Sequence, residues 1–349
     1  MVEREGFEFC GKLLGPGKPP FIVAEVGFNH NGDVELAKKM IESATKNGAD
    51  AVKLQTFVAK EMISNKVIAD DPDRPGHDIP FYEFFQRYEL SPSDYETLFA
   101  YAKTLNIPLF STPFDESSLE MLTELGVPAI KIASPDLTFI PFLERVAERG
   151  LPVVLSTGMG NEEEISQSLK ILKPKCPIIL LHCVSNYPSS YGEMNLRCIE
   201  TMRSKFKVPV GLSDHTMGNL TAVVAASLGA VLIEKHFTLD RKLPGVDQSI
   251  SMEPQELKQL KTDLVDVAKI MGDDKKQTQP SEVSVKQSAR RSLVARLDIS
   301  SGTVLTSEMV SFKRPGKGIS PAEINAVLGK PCKSDIRAEE VLTLSLIHI

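Results

Sequence analysis

From Phe21 onward the hydrophobic and polar positions repeat one phrase. A short apolar or β-branched run closes in polar residues, an amphipathic helical pattern follows, and a Gly, Pro or Asn break ends it. Eight such runs, at 21–27, 51–57, 108–113, 129–134, 152–157, 178–184, 208–213 and 231–237, predict eight strands. In the helical pattern over 34–48, Leu36, Met40, Ile41 and Ala44 share one face and Gly48 stops the run. Residues 93–103 and 161–172 read the same way. Eight strand–helix units predict an α/β fold, a (β/α)8 TIM barrel. A doubly wound sheet would need a G-x-G-x-x-G turn, which follows none of these strands.

Two departures from the repeat matter. Residues 59–88 form a long insertion after the second strand, expected to cover a site at that end of the barrel. The helical run 254–271 closes a first domain spanning 1–272; a polar linker is expected over 273–291 and a small domain over 292–349. That small domain contains an echo: Asp298-Ile-Ser-Ser-Gly-Thr-Val-Leu-Thr306 resembles Asp335-Ile-Arg-Ala-Glu-Glu-Val-Leu-Thr343. The echo reads either as a pseudo-symmetric short-strand module or as two turns alike by chance.

A barrel interior favours Val, Ile and Leu, yet these strands end in polar residues. They supply Glu25 (with Asn29 and His30 beyond it), Lys53 and Gln55, Ser111 and Thr112, Lys131 and Ser134, Ser156 and Thr157. Ser185, Asn186 and Tyr187 follow the sixth strand; Ser213, His215, Glu234 and His236 belong to the last two. Alternation puts Ser213 with His215, and Glu234 with His236, on shared faces. The two histidines can hold one divalent metal, or be ordinary polar strand ends; no H-E-x-x-H signature decides it. Lys53 and Lys131, with Ser134, Ser156 and Ser213, form an anion cradle, unless each lysine merely pairs with Glu25 or Glu234. Glu25 is the best general-base candidate, since a carboxylate at a closed barrel mouth has its pKa raised. Asp247, just past the last strand, either orients a substrate hydroxyl or belongs to a turn.

Composition narrows the classes. The chain has 349 residues, 42% of them hydrophobic, enough for one large domain and a small one. A net charge of -6 argues against nucleic acid as the main partner. Five scattered cysteines without a C-x-x-C suit reduced thiols, hence a cytoplasmic protein. No apolar stretch at the N-terminus reads as a signal peptide, and none approaches a membrane span.

Seven ordered segments carry a resemblance. They are Ala24-Glu-Val-Gly-Phe-Asn-His-Asn-Gly-Asp33, Val52-Lys-Leu-Gln-Thr56, Ser111-Thr-Pro-Phe114, Lys131-Ile-Ala-Ser134, Leu155-Ser-Thr-Gly-Met159, Gly211-Leu-Ser-Asp-His215 and Glu234-Lys-His-Phe-Thr238. Together they resemble the sialic acid synthase family, over about 21–343. Arg314-Pro-Gly316 and the echoing unit are similar to that family's antifreeze-like SAF domain.

The resemblance implies a transferase of sialic acid biosynthesis. It would condense phosphoenolpyruvate with an open-chain N-acetylated hexosamine, N-acetylmannosamine first, to give a nine-carbon 2-keto acid (N-acetylneuraminate) and phosphate. It implies Mn²⁺, or Mg²⁺ or Co²⁺, on His215 and His236. Glu25 would position or activate water. Lys53, Thr112, Lys131, Ser134, Ser156, Asn186 and Ser213 would hold phosphoenolpyruvate; Gln55 and Tyr187 would line the sugar side, and Asp247 matches a family acidic position near the substrate. Arg314 would reach a neighbouring subunit's site in a domain-swapped homodimer. Where many relatives read Gly-Glu, this chain has Pro135-Asp136, so Asp136 offers the sugar a shorter carboxylate. The insertion around 70–78 matches relatives poorly and is expected to choose the sugar.

Legionaminate and pseudaminate synthases, acting on diacetamido-trideoxy hexoses, share the motifs and are the alternative reading. A barrel making a seven- or eight-carbon keto acid is disfavoured by the Arg-Pro-Gly module. A sugar-binding protein without catalysis is disfavoured by the retained histidines, lysines and Glu25. The final Leu344-Ser-Leu-Ile-His-Ile349 is less polar than the relatives' ends and is expected to be foreign sequence, with the small domain cut short.

Overall fold

The computed structural model describes residues 6–72 and 74–348. They fall into two compact units, residues 1–273 and 274–349.

The first unit is a closed parallel barrel. Its strands are β1 Phe21–Gly27, β2 Ala51–Thr56, β3 Leu109–Pro113, β4 Ile130–Ile132, β5 Val153–Ser156, β6 Ile178–Cys183, β7 Val210–Asp214 and β8 Leu232–His236. Each pairs with the next, and β8 pairs with β1. Eight helices alternate with them: α1 Val34–Lys46, α2 Pro92–Thr104, α3 Glu116–Glu124, α4 Ile140–Glu148, α5 Glu162–Leu172, α6 Cys198–Phe206, α7 Leu220–Ser227 and α8 Pro254–Met271. The sequence phrase thus maps onto the barrel unit by unit. β4 is shorter than the run that predicts it, because Ser134–Thr138 turns into a 3-10 helix with Pro135 at its start. β7 begins late, after Pro209, and extends through Asp214.

Period-2 alternation sorts the strand residues into two cores. Ile22, Ala24, Val52, Leu54, Ile130, Leu155, Leu180, Leu212 and Ile233 point outward into the helix layer. Phe21, Val23, Ala51, Phe110, Val154, Ile179, Leu181 and Leu232 fill the barrel interior. An N-terminal hairpin, Phe7–Phe9 with Lys12–Leu14, adds Phe9 and Leu14 to that interior cluster. Its turn at Cys10-Gly11 takes positive φ values of 47° and 74°. Asp50, buried at the start of β2, accepts from Lys261 Nζ at 2.8 Å and from the Ile22 amide at 2.9 Å, tying α8 and β1 to that end. The lower barrel is therefore packed with apolar side chains, which leaves the upper layer, at the strands' C-terminal ends, for polar chemistry.

The insertion after β2 holds a short helix, Ala59–Met62, a hairpin of Ile68–Asp71 with Arg74–Pro80, and a second helix, Phe81–Gln86. Phe84 and Tyr88 pack on Phe28 and Phe57 from the loops above β1 and β2. Arg87 pairs with the buried Asp71 at 2.8 Å. The insertion is thus anchored by an aromatic cluster over the first two strands.

In the second unit β9, Ser292–Ala295, pairs antiparallel with β10, Val310–Lys313. The sequence echo has a structural counterpart. The Ile299 and Ile336 backbones exchange two hydrogen bonds of 2.8 Å. Asp298 accepts the Ala338 amide at 2.7 Å, and Asp335 accepts the Ser301 amide at 2.8 Å. Each copy caps the other, about a local two-fold. Ile347 is fully buried in this unit's core and bridges to Cys332, while Leu344 is exposed. Within the segment read as a polar linker, Pro280–Glu282 forms a 3-10 turn and Val283–Ala289 a short helix. Among the described residues no helix is long and apolar enough to cross a membrane.

Candidate active site

The inward positions above the apolar plug carry charges. Glu25 on β1 is in register with Lys53 on β2, and Ser213 on β7 with Glu234 on β8. Lys53 Nζ lies 2.8 Å from Glu25 Oε2 and 3.9 Å from Glu234 Oε2. Lys131 Nζ, from β4, lies 3.7 Å from Glu234 Oε1. Two lysines and two glutamates therefore alternate across the barrel, all nearly inaccessible to solvent. Hydroxyls and an amide complete the layer. Lys53 Nζ donates to Thr112 Oγ1 at 2.9 Å, Ser213 Oγ to Glu234 Oε1 at 3.1 Å, and Gln55 Nε2 to Glu25 Oε1 at 3.1 Å.

Local backbone geometry makes this layer possible. β1 bulges between Glu25 and Gly27, where Gly27 takes φ 57°. A Cβ on Gly27 would sit 3.3 Å from both Glu25 Oε1 and Gln55 Nε2, a tight approach that, with the positive φ, favours glycine there. After β5, the Gly158 amide donates to Ser134 Oγ at 3.0 Å, and a side chain there would collide with the Ser134 and Ser185 hydroxyls.

The charge states follow from burial and neighbours. Burial pushes the Glu25 carboxyl up to about 7, the Glu234 charge pushes the same way, and Lys53 pulls against both. For Glu234 the two lysines and Ser213 outweigh burial, and the carboxyl lies below the usual range. Burial lowers Lys131, with Glu234 opposing. Two carboxylates in one layer are thus driven in opposite directions, the pattern that separates a proton-handling group from a fixed charge.

Above this layer His215 and His236 face each other, ring centroids 5.6 Å apart. His215 Nδ1 is 2.9 Å from the Val184 carbonyl, which can only accept, so that nitrogen carries a hydrogen and, in the neutral ring, Nε2 holds the lone pair. Burial, then the charge of His215, holds His236 well below its ordinary value and neutral. Its Nδ1 is buried without a hydrogen-bond partner among the described residues, 3.7 Å from Asp247 Oδ2. Tyr187 lies over the pair, its ring 4.1 Å from His215, and is half exposed. For His215 burial pulls down, but Cys183 and the Val184 carbonyl outweigh it and hold the ring above its ordinary value. His236, neutral, and His215, preset by a backbone carbonyl and able to bind through Nε2 once deprotonated, are a donor set that fits a divalent transition ion. Among the described residues no group of three or more His, Cys, Asp or Glu is placed to hold a metal. An ion on the histidines would keep most coordination positions for water and substrate.

The other predicted residues fall around this centre. Ser156 Oγ, at the end of β5, is buried without a partner among the described residues. Asp136, on the turn after β4, likewise has an unpartnered buried Oδ2; burial pushes it up to about 6 against the pull of Lys131. Asp247 is also pushed up to about 6 by burial, with His215 opposing. Asn186 is exposed on the loop after β6. Arg314 follows β10 and belongs to the second unit. Ser111, read as a polar strand end, faces away from the cavity, and its hydroxyl meets Thr56 at 2.6 Å in the outer layer.

Sequence reasoning treats Glu234 only as a counter-charge, although it sits at the centre of the charged layer, in ion-pair range of both lysines. Its position two residues before His236 is the available signal. Cys183 escapes the sequence reading entirely; it faces the cavity with Ser134 Oγ 3.6 Å away. Nothing in the sequence marks it except the alternation of β6.

The profile of the NeuB family matches residues 40–276, and that of the SAF domain residues 290–347. The N,N'-diacetyllegionaminic acid synthase of Campylobacter jejuni is 40% identical, over 93% of this chain and 99% of that one. The human N-acetylneuraminate-9-phosphate synthase is 34% identical over 97% and 96%. The crystal structure of the N-acetylneuraminic acid synthetase of Leptospira borgpetersenii, in complex with citrate, superposes with a TM-score of 0.74 at 38% identity, covering 80% of this chain and 95% of that one.

Proposed function

The chain belongs to the NeuB family of sugar-acid synthases and carries a SAF domain, and we propose that it condenses phosphoenolpyruvate with an open-chain N-acetylated hexosamine to give a nine-carbon 2-keto acid and phosphate. The observation that carries this reading is the alternating Glu25–Lys53–Glu234–Lys131 layer beneath the paired histidines.

Buried lysines are costly, and an arriving anion offsets that cost. Lys53 and Lys131 hold the carboxylate and phosphate of phosphoenolpyruvate, with Thr112, Ser134, Ser156, Ser213 and Asn186 supplying hydrogen bonds. A divalent ion held by His215 and His236, Mn²⁺ first with Mg²⁺ or Co²⁺ as alternatives, would supply Lewis-acid polarisation of the aldehyde oxygen. Gln55, Asp136, Tyr187 and Asp247 line the sugar side. Carbon 3 of phosphoenolpyruvate bonds to the aldehyde carbon, and positive charge grows at carbon 2, where the Glu234 carboxylate stabilises it. Glu25 takes a proton from water as the hydroxyl adds at carbon 2. The aldehyde oxygen gains the proton that Glu25 took from water, the C2–O bond to phosphate breaks, the proton of the C2 hydroxyl leaves with the phosphate, and the ketone remains. Atoms balance as phosphoenolpyruvate plus sugar plus water giving keto acid plus phosphate.

N-acetylmannosamine is the first acceptor considered, supported by the sialic acid synthetase structure at 38% identity. The second is a diacetamido-trideoxy hexose, supported by the 40% identity to a diacetyllegionaminic acid synthase. The test is phosphate release with Mn²⁺ and a panel of both sugars, N-acetylmannosamine 6-phosphate and the pseudaminate precursor. Release with one sugar and none without sugar is expected. Release that ignores the sugar would overturn the condensation.

The SAF domain enters as a proposal about subunits. Arg314 reaches a neighbouring subunit's sugar in a domain-swapped homodimer. Arg314→Ala should raise the KM for sugar about tenfold or more, the worth of one charge-assisted hydrogen bond, and leave that for phosphoenolpyruvate nearly unchanged. Equal rises in both would remove the assignment.

A further inference from the structure

We propose that a second ion pair, Asp214 with Lys235 on the outer face of the same strands, is a positioning device that sets the geometry of the two histidines. The proposal rests on placing His215 and His236 at the reacting centre. Asp214 and Lys235 are direct cross-strand neighbours on β7 and β8, and each immediately precedes one of the histidines. Alternation sends them out of the cavity, so neither touches substrate. They are 2.9 Å apart, with side chains 0% and 3% exposed.

The pair's other hydrogen bonds go to the segment after His215. Asp214 Oδ1 accepts the Thr216 amide at 2.9 Å and the Thr216 hydroxyl at 2.8 Å. Lys235 Nζ also donates to the Thr216 carbonyl. The Thr216 hydroxyl lies 2.9 Å from that of Thr221, in the first turn of α7. The residue following His215 is therefore held through its amide and hydroxyl to Asp214 and through its carbonyl to Lys235, the residue preceding His236. Rotation of His215 relative to His236 would have to break several buried bonds together.

A buried ion pair is a poor source of stability, since well-packed apolar residues often replace it without loss. What such residues do not reproduce is directional bonding to one backbone segment. That distinction separates a geometric role from a packing role. A group that orients metal ligands from outside the coordination sphere is commonly worth ~10–100-fold in affinity or activity.

The experiment uses the full chain with Asp214→Leu and Lys235→Met together, an apolar replacement of similar size. Mn²⁺ binding is read by the EPR signal of the free ion, alongside kcat, the KM for phosphoenolpyruvate, and thermal unfolding. A Tm close to wild type, Mn²⁺ bound about 10–100-fold more weakly, and a fall in kcat larger than the change in KM are expected. Wild-type affinity and kcat in a thermally intact variant would overturn the proposal. If the unaltered protein takes up no Mn²⁺, the metal reading fails, and crystal structures of both proteins decide the rest. Imidazole rings displaced by more than ~0.5 Å support the pair as the positioning device, and unmoved rings overturn it. Should the double variant not fold, Thr221→Val removes one hydroxyl from the network and is read the same way, with a smaller shift.

Discussion

His236→Ala should strip the bound metal and lower phosphate release by about 10³-fold or more while leaving the barrel folded. Lewis-acid polarisation is worth several kcal/mol of barrier, and each 1.36 kcal/mol is about tenfold in rate. The fold should survive because β8 is held by its pairing with β1 and β7 and by the apolar side chains below, none of which involve the imidazole. His236 Nδ1 makes no hydrogen bond among the described residues, so its removal orphans no buried partner there. His215→Ala differs in one respect. Its Nδ1 meets the Val184 carbonyl, which loses that partner, so a modest fall in Tm should accompany the loss of metal. Metal content after dialysis, phosphate release and thermal unfolding on the same preparations separate these effects. Full turnover by a metal-free double variant would end the role given to both histidines.

The barrel was legible because its signal is redundant. Eight alternating strand–helix phrases must all fail before the fold reading fails, and the inward residues Glu25, Lys53, Lys131, Ser213 and Glu234 stand out against positions that favour Val, Ile and Leu. The bulge at Gly27 was not legible, since a glycine at a strand end also fits an ordinary turn. Nor was the N-terminal hairpin. Its strands have only three residues each, too short for periodicity to register. Asp214 and Lys235 were hidden for a different reason. Both sit inside motifs read for their histidines, and a charged pair facing the helix layer runs against the expectation that outward barrel positions are apolar. The partition of Glu25 and Glu234 into opposite charge behaviours required distances. Alternation places both in the cavity, but only geometry shows Glu234 in range of two lysines and Glu25 in range of one.

That partition gives the most discriminating prediction for the chemistry. Glu25→Gln should lower turnover by roughly 10²–10⁴-fold, the usual worth of a positioned proton acceptor. As a base Glu25 acts in its charged form. With its pKa raised from the ordinary 4.5 to about 7, the wild-type rate should climb on the acid side with a midpoint near 7, and the Gln variant should lose that limb. The sign for stability is opposite. A carboxyl raised on folding contributes stability that is complete below its unfolded value and is lost as pH rises through the folded one. Between pH 4.5 and about 7 the wild type should therefore lose Tm relative to the Gln variant, while over the same interval it gains rate. The amide introduced by Glu25→Gln can still accept from Gln55, but the substitution removes the charge opposite Lys53 at 2.8 Å, so phosphoenolpyruvate binding must be measured separately. Glu25→Asp keeps that charge on a shorter arm and should hold the acid limb at reduced rate. If the limb instead persists unchanged in the Gln variant, the titrating group is another. Asp247 and Asp136, both pushed up to about 6, are then the residues to replace, and Glu25 would be left as a counter-ion for Lys53.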